Sequence, residues 1–378
     1  MAYFDNASTT FPKMKKFYSE TMKIYSEIGI NFSRENNEVS QRMLNLKEDL
    51  KNNIREIFCL KRDSEIIFNA SATFSLNEII QGLNYDNIKN IYISPFEHNS
   101  VYRVLKKIEK EKDININIIK FNKFELDLAD LNLKFLSKKP DLVILTHASN
   151  VFGNILPVEK IFELAKQYQA ITILDTAQTG GVLDFSNIIN YTDYLVFSGH
   201  KNLYGPSGIG GFIINDKKIS LTPLLYGGTG IKSEDIDMPE ELPERFEAGS
   251  PNTLGIIGLK LATDELLEIG IENIYNKKKE NLNRLYKILM EFDEDITIHS
   301  NLDNNIGIIS ITSKYHSPQE LELYLREYDI SIRRGLHCAP IAHRHLNTSK
   351  EGTIRLSVGY FNKEEEFKIL EEALQEIL

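Results

Sequence analysis

FSGHKNLYGPSGIGGFII, at residues 197–214, places a lysine where a buried strand would be expected to end. Lys201 follows Ser198 and His200 and stands between an apolar run and a glycine-rich one. Desolvating an ammonium group at such a position is costly unless the group is paired or neutralised. An isolated lysine is more often a surface residue in a turn. The other segments of the sequence must decide whether Lys201 is such a surface residue or a buried lysine that is paired or neutralised.

The bulk composition restricts the class of protein. The chain has 378 residues, enough for two domains, and its 42% hydrophobic and 26% charged residues are typical of a globular protein. Its formal net charge of −10 and pI of about 5.5 give no electrostatic indication of binding to nucleic acid or to an anionic membrane. We therefore expect neither as a partner.

Three observations predict a cytoplasmic location. The N-terminus, MAYFDNASTTFPK, lacks the basic region and apolar core of a signal peptide. No apolar run approaches the ~18 residues of a membrane span. Cys59 and Cys338 are the only cysteines, too few for a disulfide framework in a chain of this length, which favours a reducing compartment.

Short apolar runs alternate with amphipathic stretches along most of the chain. The runs that predict buried strands are EIIF (65–68), NIYIS (90–94), INIIKF (116–121), DLVILTH (141–147), AITILD (170–175) and YLVFS (194–198). Strands that alternate with helices predict an α/β fold with a mostly parallel sheet. We predict three segments: an N-terminal segment (1–15) that packs on the site, a large domain (16–254) and a smaller α/β C-terminal domain (255–378).

Polar residues follow several of these predicted strands. In a parallel sheet, ligands bind beyond the carboxyl ends of the strands, so these residues are expected to share one site. The clusters are SAT (71–73), EHN (97–99), THASN (146–150), DTAQ (175–178) and SGHK (198–201).

Asp175 and Lys201 together suggest a cofactor site. A carboxylate and a lysine at two strand ends could simply form an ion pair. Pyridoxal phosphate enzymes need the same two residue types: a lysine that holds the aldehyde as a Schiff base, and an acid that keeps the pyridine nitrogen protonated. His98 is placed to stack on the ring. The residues that could bind the phosphate are Ala72 and Thr73, which open a helix, together with Ser198 and His200.

The chain resembles the cysteine desulfurase and selenocysteine lyase group of the class V aminotransferase fold over nearly its whole length. The segments that carry the resemblance are YFDNASTT (3–10), NASATFSLN (69–77), EHNSV (97–101), THASNVFGNILPV (146–158), LDTAQTGG (174–181), FSGHKNLYGP (197–206), LLYGGTG (224–230), RFEAGSPNT (245–253), IRRGLHCAP (332–340) and TIRLSVGYFN (353–362). It implies the fold type I architecture of pyridoxal phosphate-dependent transferases, with a large domain whose mostly parallel sheet is flanked by helices.

The resemblance implies a role for each matching residue around the cofactor. Lys201 would form the Schiff base and Asp175 would partner the pyridine nitrogen. Gln178 would bond the ring hydroxyl, His98 would stack and shuttle protons, and Asn150 would lie beside the ring and the substrate. The phosphate ligands would be Thr73, Ser198 and His200, with Ser250 from the other subunit of a homodimer.

The resemblance also implies how the substrate is handled. Arg355 would clamp the substrate carboxylate, a task suited to its bidentate fork, and Arg333 would assist. The Lys201 amine, displaced from the cofactor by free cysteine, would remove the α-proton. Cys338 would attack the substrate sulfur and keep it as a persulfide. Arg333, Arg334 and His337 would favour the thiolate, because neighbouring cations lower a thiol pKa.

Simpler interpretations exist for several of these residues. A lone cysteine is more often a small buried residue than a nucleophile; the loop GLHCAPIAH favours the functional role for Cys338, and Cys59 is assigned to packing. The runs YGGTG and PSGIGG lack the form of a nucleotide-binding loop and are predicted as turns and close-approach glycines. A zinc site is a further alternative, but the spacing matches no common zinc pattern and we predict no metal; its ligands would be His337, Cys338, His343 and His345.

The sequence departs from the family pattern at three places. Phe74 stands where the family usually has an acidic residue, and Ser250 replaces the usual threonine but keeps the hydroxyl. The segment INFSRENNEVS, at 30–40, matches the family only at Asn31 and Arg34. The first and last departures concern substrate entry.

The sequence thus predicts a cytoplasmic, homodimeric, pyridoxal phosphate-dependent cysteine desulfurase that forms L-alanine from L-cysteine. Rivals on the same fold are a selenocysteine lyase acting on L-selenocysteine, a carbon–sulfur lyase and an aminotransferase. A cofactor-binding scaffold without turnover is a rival of another class. A sulfur-acceptor protein is expected, but fold-level resemblance does not identify it.

Overall fold

A computed structural model describes residues 1–30, 37–216, 220–230 and 234–378 of the chain. Within these residues the helices are α1 (Lys15–Ile28), α2 (Glu38–Ile57), α3 (Ala72–Gly82), α4 (Asn99–Glu111), α5 (Leu128–Ser137), α6 (Val158–Gln167), α7 (Thr253–Ile269), α8 (Ile271–Met290), α9 (Pro318–Glu327), α10 (Pro340–His345) and α11 (Glu364–Ile377). The strands are β1 (Ala2–Tyr3), β2 (Glu65–Asn69), β3 (Asn90–Ile93), β4 (Asn115–Ile118), β5 (Phe121–Asn122), β6 (Glu125–Leu126), β7 (Leu142–Thr146), β8 (Ile171–Asp175), β9 (Tyr194–Ser198), β10 (Gly210–Ile214), β11 (Ile296–Ile298), β12 (Ile308–Ser313), β13 (Ile330–Ser331), β14 (Arg333–Gly335) and β15 (Thr353–Ser357).

The large sheet has the strand order β2-β10-β9-β8-β7-β3-β4. The pairs among β9, β8, β7, β3 and β4 are parallel, and only β10 runs against its neighbours. Strands β7 and β9 are buried throughout, as expected for a sheet covered on both faces, and this explains their continuous apolar sequences. The predicted α/β fold with a mostly parallel sheet is confirmed.

Strand β10, which was not predicted, contains the last two glycines of the PSGIGG run, expected to form turns and close-approach positions. Gly210 and Gly211 open this strand, which lies between β2 and β9. A Cβ atom on Gly211 would lie 2.2 Å from the Ile67 carbonyl oxygen, so this position requires glycine because the backbones approach closely. The two glycines hid an otherwise apolar strand, which follows a turn at Ser207 and Gly208.

The helices that cover the large sheet bury one apolar stripe each. On α4 the buried positions Val101, Val104, Leu105 and Ile108 follow the helical i, i+3, i+4, i+7 spacing and pack in one core cluster with strand residues such as Ile93. Because α4 follows β3 in the chain, its start, next to His98, lies at the carboxyl edge of the sheet.

The smaller sheet is antiparallel, with the order β11-β12-β15-β14. It shares a separate core cluster with α8, α9 and α11. The N-terminal segment joins this part of the molecule, because β1 pairs with β13 and Phe4 is fully buried in the same cluster. The first residues of the chain therefore pack on the side of the smaller sheet.

The long helical stretch predicted after residue 255 is divided. Gly270, with a φ of +90°, separates α7 from α8, a conformation that favours glycine. Helix α7 packs against α1 and α2, whereas Leu282 and Leu285 of α8 pack in the core cluster of the smaller sheet. The division into 1–15, 16–254 and 255–378 remains a prediction.

None of the helices in the described ranges combines the length and apolar character needed to cross a membrane.

Lys278 of α8 makes the stability of the fold sensitive to pH. This side chain is 4% exposed, and desolvation lowers its pKa from 10.5 to about 7. Between these pH values the unfolded chain binds a proton that the folded chain does not, so the free energy of unfolding rises with pH. We expect the stability of the wild type relative to Lys278→Met to increase from pH 7 to 10, as measured by urea unfolding. A constant difference over that range would contradict the buried, partly neutral lysine.

Candidate active site

A cavity of about 220 Å³ lies at the carboxyl ends of the parallel strands. Most of the predicted site residues line it: Ala72, Thr73, His98, Asn150, Asp175, Gln178, Ser198, His200, Lys201, Arg333 and Arg355. Ser250 and Cys338 do not belong to this lining, although His337, the residue before Cys338, does. Segments far apart in the sequence thus meet at one edge of the sheet, as the strand-end rule predicts.

Lys201 and Asp175 occupy neighbouring positions at this edge, after β9 and at the end of β8 respectively. Desolvation lowers the pKa of Lys201 to about 8, and the negative charge of Asp175 opposes this shift. Asp175 is 4% exposed; its Oδ1 accepts a hydrogen bond from the Ala177 N–H at 2.9 Å, and burial raises its pKa. A buried acid beside a readily deprotonated amine is the pairing that the predicted chemistry needs.

The N-terminal segment holds the backbone next to Lys201. The carbonyl oxygen of His200 accepts hydrogen bonds from Thr9 Oγ1 at 2.9 Å and from Lys13 Nζ at 2.5 Å. The carbonyl oxygen of Lys201 accepts from Thr10 Oγ1 at 2.8 Å. These donors fix the direction in which the lysine side chain leaves the loop. No role was predicted for them, although the two threonines belong to the matching segment YFDNASTT.

One end of the cavity is suited to a phosphate group. Helix α3 begins there, with Ser71 as its N-cap accepting from the Phe74 N–H at 3.2 Å. Gly210 brings β10 close to this helix start, since a Cβ on it would lie 3.2 Å from the Ala72 nitrogen. Backbone N–H groups and the dipole of a helix start favour an anion. Ser71 also lines the cavity, as expected of the SAT cluster, but its role as the N-cap was not predicted.

His200 adds a side-chain donor near the same end. Its Nδ1 is buried without a partner among the described residues, which is costly unless a ligand or water binds it. Burial lowers its pKa to about 4, and the positive charges of Lys201 and Lys13 act in the same direction. A neutral histidine with a free ring nitrogen can still donate one hydrogen bond to a phosphate oxygen.

His98 has its ring fixed at the start of α4. Its Nδ1 accepts a hydrogen bond from the Ser100 N–H at 3.1 Å, so the side chain is the N-cap of this helix. Burial, together with the charges of Lys201 and Arg333, lowers its pKa to about 4. His98 is therefore neutral near pH 7, and the Nδ1 bond leaves its proton on Nε2.

The residues present fit pyridoxal phosphate. The buried Asp175 carboxylate can accept from a protonated pyridine nitrogen, and Lys201 can reach an aldehyde in the same cavity. The unpartnered Nδ1 of His200 and the start of α3 supply donors for the phosphate. Gln178 is 4% exposed, and its Nε2 donates to the Ala7 carbonyl at 3.0 Å, which fixes the amide at the cavity wall.

The loop that carries Cys338 is tied to the cavity through two asparagines. Asn150 Nδ2 donates to the His337 carbonyl at 2.7 Å, and the Asn99 N–H donates to the Cys338 carbonyl at 2.7 Å. His337 and Cys338 have φ angles of +46° and +59°, an unusual conformation for two successive residues with side chains. The loop is therefore shaped by specific contacts, and the Cys338 side chain is exposed at its tip.

The cations around Cys338 differ from the prediction. Arg333 Nη2 lies 3.8 Å from Cys338 Sγ, whereas Arg334 forms an ion pair with Glu322 at 2.5 Å. His337 is buried, and desolvation lowers its pKa to about 2, so it is neutral. The prediction that His337 supplies a positive charge is wrong, because its burial excludes the charged form. Arg333 is the cation in contact with the sulfur.

Arg355 is fully buried on the cavity wall. Its Nη1 donates to the Asn150 carbonyl at 2.8 Å, and its Nη2 donates to Asp5 Oδ1 at 2.7 Å and Ser8 Oγ at 2.8 Å. Its Nε has no partner among the described residues. Arg333 Nη1 donates to the same Ser8 Oγ at 3.0 Å. Ser8 thus joins both arginines, a role that was not predicted.

Other predicted residues lie outside the cavity. Ser250 is exposed in a separate, more apolar pocket that Phe74 also lines. Cys59 is exposed, with its sulfur 3.4 Å from Asp184 Oδ1, so its assignment to packing is wrong: it follows the end of α2 in a left-handed conformation that turns it outward. Of the departing segment 30–40, residues 31–36 lie outside the described part of the chain.

The histidines considered for zinc bind separate partners. His337 Nε2 lies 3.2 Å from Thr353 Oγ1, His343 Nδ1 lies 2.8 Å from Thr348 Oγ1, and His345 Nε2 lies 2.7 Å from the Lys123 carbonyl. Among the residues that the structure describes, no group of three or more histidine, cysteine or carboxylate side chains is arranged to hold a metal.

Replacing Asp175 provides a first test of the cavity. An asparagine would keep the shape of the side chain but could not stabilise a protonated pyridine nitrogen. We expect Asp175→Asn to retain bound cofactor while kcat falls by roughly 10²-fold or more. Steady-state kinetics on the cofactor-loaded variant measure this, with absorbance as the check on occupancy. Unchanged kcat at full occupancy would remove Asp175 from its predicted role.

The sequence profile of the class V aminotransferases matches residues 2–370 of the chain. The chain therefore belongs to the class V aminotransferase family. Pyridoxal phosphate is the cofactor of this family, so the fold and the cofactor predicted from the sequence are confirmed.

The relatives that the chain resembles carry names that describe a more specific activity than the family name does. It is 31% identical over 385 residues to a probable cysteine desulfurase of Pyrococcus abyssi, covering 100% of this chain and 94% of the relative. It is 30% identical over 398 residues to a probable cysteine desulfurase of Aeropyrum pernix, with 100% and 94% covered. The solved apo structure of a cysteine desulfurase from Thermococcus onnurineus superposes with a TM-score of 0.90 at 28% identity, covering 99% of this chain and 94% of that one. These relatives are named for the activity predicted from the sequence.

Proposed function

We propose that this protein is a pyridoxal phosphate-dependent cysteine desulfurase that transfers sulfur from L-cysteine to Cys338 and releases L-alanine. The observation that carries the proposal is the loop around Cys338. It presents an exposed thiol, and hydrogen bonds from Asn150 and Asn99 hold it against the cavity that contains Lys201 and Asp175. A transaminase or a lyase has no need for a thiol held in this way.

The two arginines account for substrate binding. Arg355 presents a buried guanidinium whose Nε is unpartnered among the described residues, and Arg333 spans the distance between Ser8 and Cys338. A carboxylate that binds here would place the rest of the amino acid between Lys201 and the thiol. Asp5 already forms an ion pair with Arg355. A substrate carboxylate would therefore either displace Asp5 or bind the same guanidinium beside it.

Proton transfer falls to Lys201. When bound, pyridoxal phosphate supplies an electron sink that stabilises negative charge at the substrate α-carbon. Burial lowers the pKa of Lys201 to about 8, so near neutral pH a useful fraction of the amine can accept the α-proton at Nζ. Asp175 would accept a hydrogen bond from a protonated pyridine nitrogen, and neutral His98 could pass a proton at Nε2.

The sulfur step needs one bond formed and one broken. The Cys338 thiolate would attack the substrate sulfur and form an S–S bond, while the carbon–sulfur bond breaks and its electron pair stays with the substrate β-carbon. A proton added at the β-carbon, and return of the α-proton from Lys201 Nζ to the α-carbon, complete L-alanine. Arg333, with Nη2 at 3.8 Å from the sulfur, stabilises the negative charge of the attacking thiolate.

The persulfide can be detected directly. The cofactor-loaded protein is mixed with L-cysteine, quenched with an alkylating reagent and digested for mass spectrometry. We expect the peptide containing Cys338 to gain one sulfur atom before alkylation, and the peptide containing Cys59 to gain none. The Lys201→Ala variant is the matched control and should show no added sulfur. Labelling of Cys59 alone would contradict the proposal.

We also propose that the protein acts as a homodimer in which Ser250 binds the phosphate of the partner's cofactor. Ser250 does not line its own cavity; it lines a separate pocket together with Leu225, which is an exposed apolar side chain, and the exposed Leu254 follows four residues later. Exposed groups of this kind often mark a protein interface. Light scattering should give the mass of a dimer, and Ser250→Ala should lose cofactor faster on dialysis; a monomer with full cofactor retention would exclude the arrangement.

The product identifies the reaction among the rivals. L-Selenocysteine would give alanine as well, so parallel assays with the two amino acids are needed to rank them. A carbon–sulfur lyase would release pyruvate and ammonia, and an aminotransferase would need a keto acid. A cytoplasmic location and a protein that accepts sulfur from Cys338 complete the proposal, the former supported by two unpaired cysteines.

A further inference from the structure

A buried contact behind Lys201 has no part in the proposed chemistry. Lys278, on α8, is 4% exposed, and its Nζ donates to Asn202 Oδ1 at 2.7 Å. Asn202 follows Lys201 in the chain and is 3% exposed; its Nδ2 donates to the Gln178 carbonyl at 2.5 Å. Gln178 and Lys201 both line the cavity. Lys278 therefore reaches two cofactor residues through a single side chain.

Packing alone does not explain a lysine at this position. Desolvation lowers the pKa of the Lys278 amine to about 7. The hydrogen bond that the structure describes for Nζ is to an uncharged amide. An apolar side chain of similar length would fill the same space without the cost of burying an ammonium group. The path of the lysine is also specific, because a Cβ on Gly307 would lie 3.2 Å from Lys278 Cε. What an apolar side chain could not supply is the donor for Asn202 Oδ1.

We propose that Lys278 is a positioning residue for the cofactor lysine. By holding the Asn202 amide, Lys278 fixes the backbone at Lys201 and Asn202 against the loop that carries Gln178. This inference rests on the proposed role of Lys201.

The opposite side of the same backbone is held independently. Thr9, Thr10 and Lys13 bind the carbonyls of His200 and Lys201 from the N-terminal segment. The backbone that carries the cofactor lysine is thus clamped between that segment and α8. Other residues of α8 pack in the core cluster of the smaller sheet, on the side of the molecule that carries the Cys338 loop. Lys278 therefore connects the position of this part of the molecule to the position of Lys201.

A double-mutant cycle tests whether Lys278 acts through Asn202. The variants are Lys278→Met, Asn202→Ala and the double variant, each as cofactor-loaded protein. The readout is the rate at which visible absorbance is lost on dialysis. We expect Lys278→Met to lose cofactor about tenfold faster, and to add less than about twofold in the Asn202→Ala background, because coupled residues are non-additive. Equal effects of Lys278→Met in both backgrounds would overturn the proposal, as would an unchanged rate in the single variant.

The kinetic constants separate positioning from general loosening. We expect Lys278→Met to lower kcat while KM for L-cysteine stays within about twofold, since both arginines keep their partners. A fall in the melting temperature with unchanged cofactor loss would mean a structural role only and would overturn the inference. If Lys278→Met does not fold, Lys278→Leu, which also removes the donor, replaces it in the cycle and is judged by the same criterion.

Two controls complete the design. Lys51→Met replaces a lysine on α2 that is 9% exposed and does not line the cavity, and it should leave cofactor loss unchanged. Lys201→Ala separates the two hypotheses. If that variant keeps the visible absorbance of bound cofactor, the proposed function fails; if it loses the absorbance but the cycle is additive, only the role of Lys278 fails.

Discussion

Replacing Lys201 by alanine is expected to abolish both the visible absorbance of the bound cofactor and the turnover of L-cysteine. The Nζ of Lys201 is the amine that the cavity offers to an aldehyde, and none of the other described residues that line it carries one. The same group is the proposed acceptor of the α-proton. Loss of a group that binds the cofactor and moves a proton should reduce kcat by at least about 10³-fold. Absorbance spectra and alanine assays on the purified variant measure the two effects.

The matched control for this variant is Lys13→Ala. Lys13 binds the carbonyl of His200, the residue before Lys201, but it does not line the cavity. We expect this variant to keep the visible absorbance, because the amine that meets the aldehyde is still present. A Lys201→Ala protein that retained the spectrum of the wild type would contradict the assignment of the cofactor site.

Cys338→Ala is expected to separate cofactor binding from sulfur transfer. Cys338 does not line the cofactor cavity, and the loop is held by its backbone and by Asn150, so the cofactor should bind as in the wild type. The nucleophile that receives sulfur is lost, and sulfide release from L-cysteine should fall by at least about 10³-fold. Absorbance and sulfide assays on the same preparation test both parts.

Cys59→Ala is the corresponding control. It removes the other exposed thiol, which lies beside Asp184 and outside the cavity. We expect full sulfur transfer from this variant. Activity that survives in Cys338→Ala but disappears in Cys59→Ala would reverse the roles of the two cysteines.

Much of the site followed from the sequence because each strand end is marked by polar residues after an apolar run. The clusters around His98, Asn150, Asp175 and Lys201 lie at one edge of the sheet, as a parallel arrangement requires. These residues are the ones proposed to carry the chemistry, which restricts their types.

The parts that could not be predicted depend on contacts between distant segments. Close-approach glycines were predicted in the PSGIGG run, but strand β10 was not, because the local pattern does not reveal that the neighbour approached is Ile67 of another strand. His337 is neutral because it is buried. Arg334 is not the cation in contact with the Cys338 sulfur, because it forms an ion pair with Glu322. Lys278 acts through a partner 76 positions away, and Ser8 through one 347 positions away, so their spacing in the sequence carries no information about them.

The most direct test of the account is the stoichiometry of products from L-cysteine. Purified, cofactor-loaded protein is incubated with L-cysteine and a thiol reductant, and alanine, sulfide and pyruvate are quantified together. The account predicts alanine and sulfide in equal amounts and no pyruvate, because the reductant releases each sulfur that reaches Cys338. Pyruvate and ammonia in place of alanine, or no product while the cofactor spectrum is intact, would contradict it.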